Sequence, residues 1–418
     1  MKENKENFKS YANSFQAVPR LGLERIERLL FYMGNPHKNM NYIHVAGTNG
    51  KGSVCAYIYA AYLNKKINVG RYISPNLVKV NERISVNGED ISDEELNTLI
   101  FEVEDASRKV YAELSQEVSQ FEIWTAAAFL YFKKKKCDVV ILETGLGGRF
   151  DATNVIEENL LSIITKIDVD HVDYLGDTKE KITFEKCGII KCPKNSTGKV
   201  LTTCSNDDVL HVIKEQAHKK NNEVIVTGEF IPKGFEKIYE CFDYKDIKDI
   251  KLSLGGYHQI ENACIAIEAL KILDFSGEEI KSALCSAKNP ARLELISEEP
   301  YILFDGSHNP DGIRALKKSI DRYFNNERKI YVMASMSDKD ILPSLRVLND
   351  NNSEFVFTTV QDNPRARTPE KMAKEAEKLG IKSLTFPNLK DALLYVKKKK
   401  MLTVICGSLY LYKDYAEI

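Results

Sequence analysis

The chain has 418 residues, 43% of them hydrophobic, more than one hydrophobic core usually holds, so two domains are expected. Lysine plus arginine number 59 against 60 aspartate plus glutamate, a balance that gives no global field to draw nucleic acid or an anionic membrane surface. No apolar run reaches membrane-spanning length, and the N-terminal stretch MKENKENFKSYANSF is polar where a secretory leader would be apolar. The nine cysteines show neither Cys-x-x-C spacing nor the nearby histidines of a structural zinc site. Together these features predict a cytoplasmic protein with reduced thiols and no nucleic-acid or membrane partner.

In chain order, NYIHVA (41–46) predicts a short buried strand and residues 51–65 a helix rich in alanine and tyrosine, with glycines in the turn between them. Further strands are expected at 138–144 and 160–167, and a helix at 122–136 whose terminal lysines suit the negative end of its dipole. Residues 190–256 are too irregular to assign. The stretch SAKNPARLELISEEP (286–300) breaks the pattern with two prolines, as a hinge does, so the domains are expected at 1–290 and 299–418, joined by 291–298. From Tyr301, strands at YILFDGS, KIYVMAS, EFVFTTV, KSLTF and MLTVICGS alternate with helices starting near Asp311, Asp338, Pro369 and Leu389. The fold class is therefore α/β: a P-loop ATPase-type N-terminal domain and a smaller, open, Rossmann-like α/β C-terminal domain.

The first strand runs into Gly47-Thr48-Asn49-Gly50-Lys51-Gly52-Ser53. Glycines there would let backbone N–H groups approach a phosphate, and Lys51 would neutralise its charge at a helix N-terminus. The spacing departs from the general nucleotide-loop pattern: two residues separate the glycines, and the hydroxyl follows the lysine by two positions. A plain glycine turn between strand and helix is the alternative.

The string GTNGKGS resembles the loop of folylpolyglutamate and dihydrofolate synthases, which belong with the Mur ligases. Similar stretches follow in the order of that family: Ser74-Pro75-Asn76-Leu77 with Asn81-Glu82-Arg83-Ile84, Gln120-Phe121-Glu122, Glu143 to Arg149 (ETGLGGR), Asp151-Ala152-Thr153-Asn154, Asp170-His171 and Glu185 to Lys191 (EKCGIIK). Downstream lie Gly256-Tyr257-His258-Gln259 with Asn262, Arg292, Asp305 to Pro310 (DGSHNP) and Gly407-Ser408-Leu409-Tyr410. Asn76 stands where the family commonly has histidine, Cys187 and Ser307 where it has alanine, and Ala291 where it has glycine.

The resemblance implies ATP-dependent addition of L-glutamate to a folate, or to dihydropteroate, through an acyl phosphate, by a monomer. It implies Lys51, Lys186, Asp305 and His308 as catalytic residues, and Gly47 to Ser53, Asn262, Arg292 and Asp305 around the nucleotide. Ser74, Glu143 and His171 would hold Mg2+, and Lys186 would carry a carbamate. Phe121, Arg83 and Ser408 fall on the substrate side. Residue type alone also allows plainer roles: Glu143 capping a turn, Lys186 as a surface charge, Phe121 as core, DGSHNP as an ordinary turn. Two other readings share the loop. A Mur-type ligase acting on a UDP-linked peptide usually carries an additional N-terminal domain, for which the 40 residues ahead of the first strand are too few. A non-catalytic nucleotide switch has no use for Asp305, His308 and a metal-ligand set.

Overall fold

The computed structural model describes residues 7–15, 20–194 and 196–418, so the first six residues of the polar N-terminal stretch lie outside it. The chain divides into two compact units, Met1–Gly228 with Cys264–Ala283, and Glu229–Ala263 with Leu284–Ile418. The second unit takes up residues 229–263, which the range 1–290 assigns to the first domain, and the expected hinge contains the strand Glu294–Glu298.

In the first unit, strands β1 (Asn41–Ala46), β2 (Val69–Tyr72), β3 (Ile84–Val86), β4 (Glu89–Asp90), β5 (Val139–Glu143), β6 (Leu161–Ile164), β7 (Gly198–Thr202) and β8 (Asn222–Val226) form one sheet. Their order is β4-β3-β2-β5-β1-β6-β7-β8. From β2 to β8 all pairs are parallel, while β3 and β4 add antiparallel at the edge. The central strands β1, β5 and β6 are almost continuously apolar, as strands covered on both faces must be. The helix Lys51–Asn64 has no polar stripe and is buried nearly all round, so packing decides its place. The helix Gln120–Lys134 starts on a capping box between Ser119 and Glu122 and ends on Lys133 and Lys134. The same capping logic, Ser92 with Glu95, starts the helix Asp93–Leu114, which adds to the expected elements.

In the second unit β9 (Phe230–Glu236), β10 (Tyr239–Tyr244) and β11 (Ile247–Lys251) form an antiparallel sheet. Strands β12 (Glu294–Glu298), β13 (Tyr301–Phe304), β14 (Lys329–Met333), β15 (Ser353–Phe357), β16 (Ser383–Thr385) and β17 (Leu402–Cys406) form a second sheet, ordered β12-β13-β17-β14-β15-β16. Only β12 is antiparallel. The five expected strands from Tyr301 onward are all present. The helix expected near Asp338 begins at Leu342 instead, with Pro343 in its first turn, where a missing N–H costs nothing. The small sheet is fastened to the helix Pro310–Tyr323 by Glu240, which is fully buried and accepts from Arg322 Nε at 2.6 Å, Arg322 Nη2 at 3.0 Å and the Tyr323 hydroxyl at 2.7 Å. No helix among the described residues is long and apolar enough to cross a membrane.

Candidate active site

Parallel strands deliver their C-terminal ends to one edge of a sheet, and ligands of open α/β folds bind there. In the first unit that edge carries Gly47 after β1, Ser74 after β2 and Glu143 at the end of β5. The register places Val45 beside Glu143 and Tyr72 beside Leu142. Gly47 has no room for a side chain, since a Cβ would sit 1.8 Å from Thr165 Oγ1. Gly50, the N-cap of the helix Lys51–Asn64, has φ 92°, a left-handed conformation that favours glycine. The loop is tied to the strand-end beyond β6: Thr48 N donates to Lys166 O at 2.9 Å, and Thr165 Oγ1 donates to Asn49 O at 2.8 Å. A helix start of this kind presents backbone N–H donors and the positive end of a dipole, which suits an anion.

Two lysines meet at this loop. Lys51 Nζ donates to Gly47 O at 2.9 Å, and Lys186 Nζ, from a different helix, donates to the same carbonyl at 2.8 Å. Lys186 is only 5% exposed, so it is not the surface charge that composition alone allowed. Burial, reinforced by the Lys51 cation, lowers its amine from 10.5 to about 7, against the opposing pull of Asp170 and Asp151. A buried amine of this kind is neutral in a substantial fraction near pH 7 and is therefore nucleophilic.

The position of Lys186 is set by backbone contact between two sequence motifs. Arg149 N donates to Glu185 O at 2.7 Å, a Cβ on Gly188 would fall 2.1 Å from Arg149 Cα, and one on Gly148 would fall 2.7 Å from Lys186 O. Asn154 Nδ2 joins them again through Arg149 O at 3.0 Å and Gly188 O at 3.2 Å. Asp151 shapes the same loop: Oδ2 accepts from Gly145 N at 2.9 Å and Leu146 N at 2.8 Å, and Oδ1 accepts from Thr153 N at 3.0 Å and Thr153 Oγ1 at 2.5 Å. Burial raises the Asp151 carboxyl above its usual range despite those bonds. His44 Nε2 lies 2.8 Å from Thr153 Oγ1, and burial lowers this imidazole to about 3, so it is neutral. The signal for Asp151 to Asn154 in the sequence is their similarity to a family stretch; their role in holding this loop together comes from the structure.

Of the three residues expected around Mg2+, Ser74 and Glu143 are adjacent, with Ser74 N donating to Glu143 Oε2 at 3.4 Å. A buried carboxylate and a neighbouring hydroxyl are hard oxygen donors, the kind Mg2+ takes together with phosphate oxygens. His171, exposed and with φ 52°, precedes the short helix Val172–Leu175, and its Nε2 is 3.9 Å from Asp170 Oδ2. Among the described residues there is no cluster of three or more His, Cys, Asp or Glu side chains able to hold a metal ion. A site here would lean on the serine hydroxyl and on the nucleotide itself. Phe121 packs on the core, with Gly145 against its ring, where a Cβ would approach Cζ to 2.6 Å, and Tyr72 at 6.0 Å. Arg83 Nε donates to Asn76 Oδ1 at 2.9 Å.

The second unit gathers Arg292, Asp305, His308 and Ser408 at the ends of β13 and β17, which pair through Phe304 and Ile405. Asp305 is buried and spends both oxygens on backbone: Oδ2 accepts from Leu293 N at 2.8 Å and Oδ1 from Ser307 N at 2.9 Å. Arg292 thus sits between two residues in left-handed backbone, Ala291 at φ 59° and Leu293 at φ 43°. His308 Nδ1 donates to Gly306 O at 2.9 Å, which fixes its tautomer and ring. Ser408 Oγ accepts from Tyr410 N at 3.3 Å. Asn262 Nδ2 donates to Gln259 Oε1 at 2.9 Å near the start of the helix Gln259–Ile272.

A glycine loop with paired lysines in one α/β unit, and an Asp–His turn in a second, define a Mur-type ligase. The Mur ligase middle domain matches residues 45–270 and the Mur ligase glutamate ligase domain residues 291–409. The chain is 36% identical to the dihydrofolate synthase/folylpolyglutamate synthase of Bacillus subtilis, with 94% of each chain covered. Among solved structures, the Mycobacterium tuberculosis folylpolyglutamate synthase complexed with ADP superposes with a TM-score of 0.89 at 28% identity, covering 98% of this chain and 96% of that one. E. coli FolC in complex with DHPP and ADP gives 0.85 at 27% identity, covering 99% and 97%. The chain belongs to the dihydrofolate synthase/folylpolyglutamate synthase family of ATP-dependent ligases.

Proposed function

We propose that this chain joins L-glutamate to the carboxylate of a folate at the expense of ATP, and that its site is built as follows. The observation that carries the reading is the meeting of Lys51 and Lys186 on one carbonyl of a glycine loop. The Lys51 cation and the loop N–H groups suit the charge of a nucleoside triphosphate, while the buried Lys186 amine beside them is available for modification. The loop N–H groups and Lys51 bind and orient the phosphates, and Lys51 offsets charge that develops as the γ-phosphoryl passes to the acceptor carboxylate. The product of that step is an acyl phosphate, whose phosphate is a good leaving group for attack by the amine of glutamate. Ser74, Glu143 and His171 hold Mg2+, which when bound supplies Lewis-acid neutralisation of the phosphate oxygens.

Lys186, neutral in part near pH 7, forms a carbamate with carbon dioxide. The neutral amine's Nζ bonds to the carbon as one C–O π bond opens to a carboxylate oxygen, one N–H proton is released to solvent, and a neutral buried amine becomes an anion. Its buried amine and depressed basicity support that modification. In the second unit, Asn262 and Arg292 serve the nucleotide, and Asp305 holds the Leu293 N–H just after Arg292 together with the Ser307 N–H of its own turn. His308, its Nδ1 proton held by Gly306 O, presents its other ring nitrogen to substrate. The protein acts as a cytoplasmic monomer, which size-exclusion chromatography tests by a single species near 47.5 kDa.

Phe121 and Arg83 border the acceptor, and Ser408 the substrate side of the second unit. The acceptor is tested by one assay that follows ADP release with dihydropteroate or tetrahydrofolate, each with and without glutamate. Turnover with both acceptors assigns both reactions, and turnover with one assigns that one. ADP release independent of acceptor and glutamate sinks the ligase reading and favours a nucleotide switch.

A further inference from the structure

The loop between β2 and β3 carries Ser74 to the sheet edge, yet it has no regular structure of its own until the short 3-10 turn Val80–Arg83. Its shape comes from the two residues that end it. The Glu82 carboxylate collects three successive backbone N–H groups: Oε2 accepts from Leu77 at 2.7 Å, and Oε1 accepts from Val78 at 3.0 Å and Lys79 at 2.7 Å. One carboxylate capping one N–H is ordinary. Three in succession curl the chain around a single anion, through charge-assisted bonds stronger than neutral ones. Arg83 closes the loop from the other side, through Nε to Asn76 Oδ1 at 2.9 Å and through its own carbonyl, which accepts from Ile73 N at 3.0 Å. Between those anchors Ser74 N is presented to Glu143 Oε2.

We propose that Glu82 is a positioning residue: by gathering the Leu77, Val78 and Lys79 N–H groups it fixes the loop that sets Ser74 beside Glu143 and Asn76 against Arg83, and so determines divalent-cation and acceptor binding. This rests on the reading that Ser74 and Glu143 hold the cation. Glu82 itself touches neither ligand. Its effect is transmitted through backbone, so it separates acceptor and cation binding from nucleotide binding, which the loop after β1 supplies.

The test uses the full chain, with Mn2+ binding in the presence of ATP read by electron paramagnetic resonance, together with KM values for tetrahydrofolate and ATP. Glu82→Ala is expected to raise the Mn2+ dissociation constant and the tetrahydrofolate KM about tenfold, as loss of charge-assisted bonds implies, with the ATP KM within about twofold. Glu82→Gln keeps one oxygen for Val78 and Lys79 but turns an NH2 toward the Leu77 N–H. It is expected to raise the same two constants by about threefold. Should Glu82→Ala not fold, Glu82→Gln carries the test alone. Unchanged constants in the folded variants, or an equal rise in all three constants, overturn the proposal. Glu143→Ala is the control. If it leaves Mn2+ binding intact, the cation reading fails; if it weakens binding while the Glu82 variants do not, only the role of Glu82 fails.

Discussion

The two sheet edges use charge in opposite ways. At the edge of the eight-stranded sheet, two lysines converge on one carbonyl and one of them is almost fully buried, so the local charge is poised for an anionic ligand. At the edge of the six-stranded sheet the buried charge is Asp305, and its two oxygens already hold Leu293 and Ser307. The first edge keeps its charge for a ligand, and the second consumes it in holding backbone. Substitutions at the two edges should therefore fail differently, one in chemistry with the fold intact and the other in both together.

The largest effect is expected at Lys186. Lys186→Met fills the same space without the amine, so the melting temperature should hold or rise while kcat falls at least about 100-fold, as loss of a charged group in a preorganised site implies. A 13CO2-derived carbamate signal is expected in the parent and should be absent from this variant. A variant retaining activity would remove Lys186 from the chemistry. The same residue makes a pH prediction. Its folded value near 7 lies below 10.5, so between these limits the unfolded chain holds a proton that the folded chain lacks. Its contribution to stability is therefore lowest below pH 7 and rises toward pH 10.5, by at most about 1.4 kcal/mol per pH unit. Denaturant titrations at pH 7 and 9 should show a rise attributable to Lys186 that Lys186→Met removes.

Asp305→Asn should lose activity and stability together, because one backbone N–H then faces an amide nitrogen. A cost of about 1–3 kcal/mol is expected, read by urea denaturation alongside the ATP KM. Loss of activity at unchanged stability would show that Asp305 acts directly on ligand. Asp151→Asn sharpens the contrast from within the first unit. It too is a backbone-holding carboxylate, so about 1–3 kcal/mol of stability should go with activity, unlike at Lys186. The smallest effect is expected at Ala291, whose φ of 59° suits glycine. Ala291→Gly should stabilise by at most about 1 kcal/mol, relief of left-handed strain outweighing the entropy lost by glycine. A clear loss of melting temperature would contradict that account.

Much of the first edge was legible in sequence because parallel strands and glycine turns leave strong local marks. The strand NYIHVA falls at the stated residues, and the strand expected at 138–144 runs over Val139–Glu143, one residue shorter at each end. The five strands after Tyr301 were legible for the same reason. Residues 190–256 were not. β9 is largely exposed, β11 is buried at only two of five positions, and the mostly buried β10 mixes charged with apolar residues, so no apolar run marks these antiparallel strands, and their anchor, Glu240 with Arg322, joins residues far apart in sequence. The burial of Lys186 was also out of reach. A lysine beside a glycine reads as surface until Gly148 and Gly188 are seen to bring two backbones together. Glu82 is a subtler case, since three N–H groups on one carboxylate follow from a loop shape that no periodicity encodes.

The central claim, that Lys51 and Lys186 serve transfer of a phosphoryl group to the acceptor carboxylate, is tested most directly by isotope. Tetrahydrofolate labelled with oxygen-18 in its free carboxylate is turned over with ATP and glutamate, and the inorganic phosphate is examined by mass spectrometry. One labelled oxygen per phosphate is the result expected of an acyl phosphate. Amide product formed with unlabelled phosphate would contradict it.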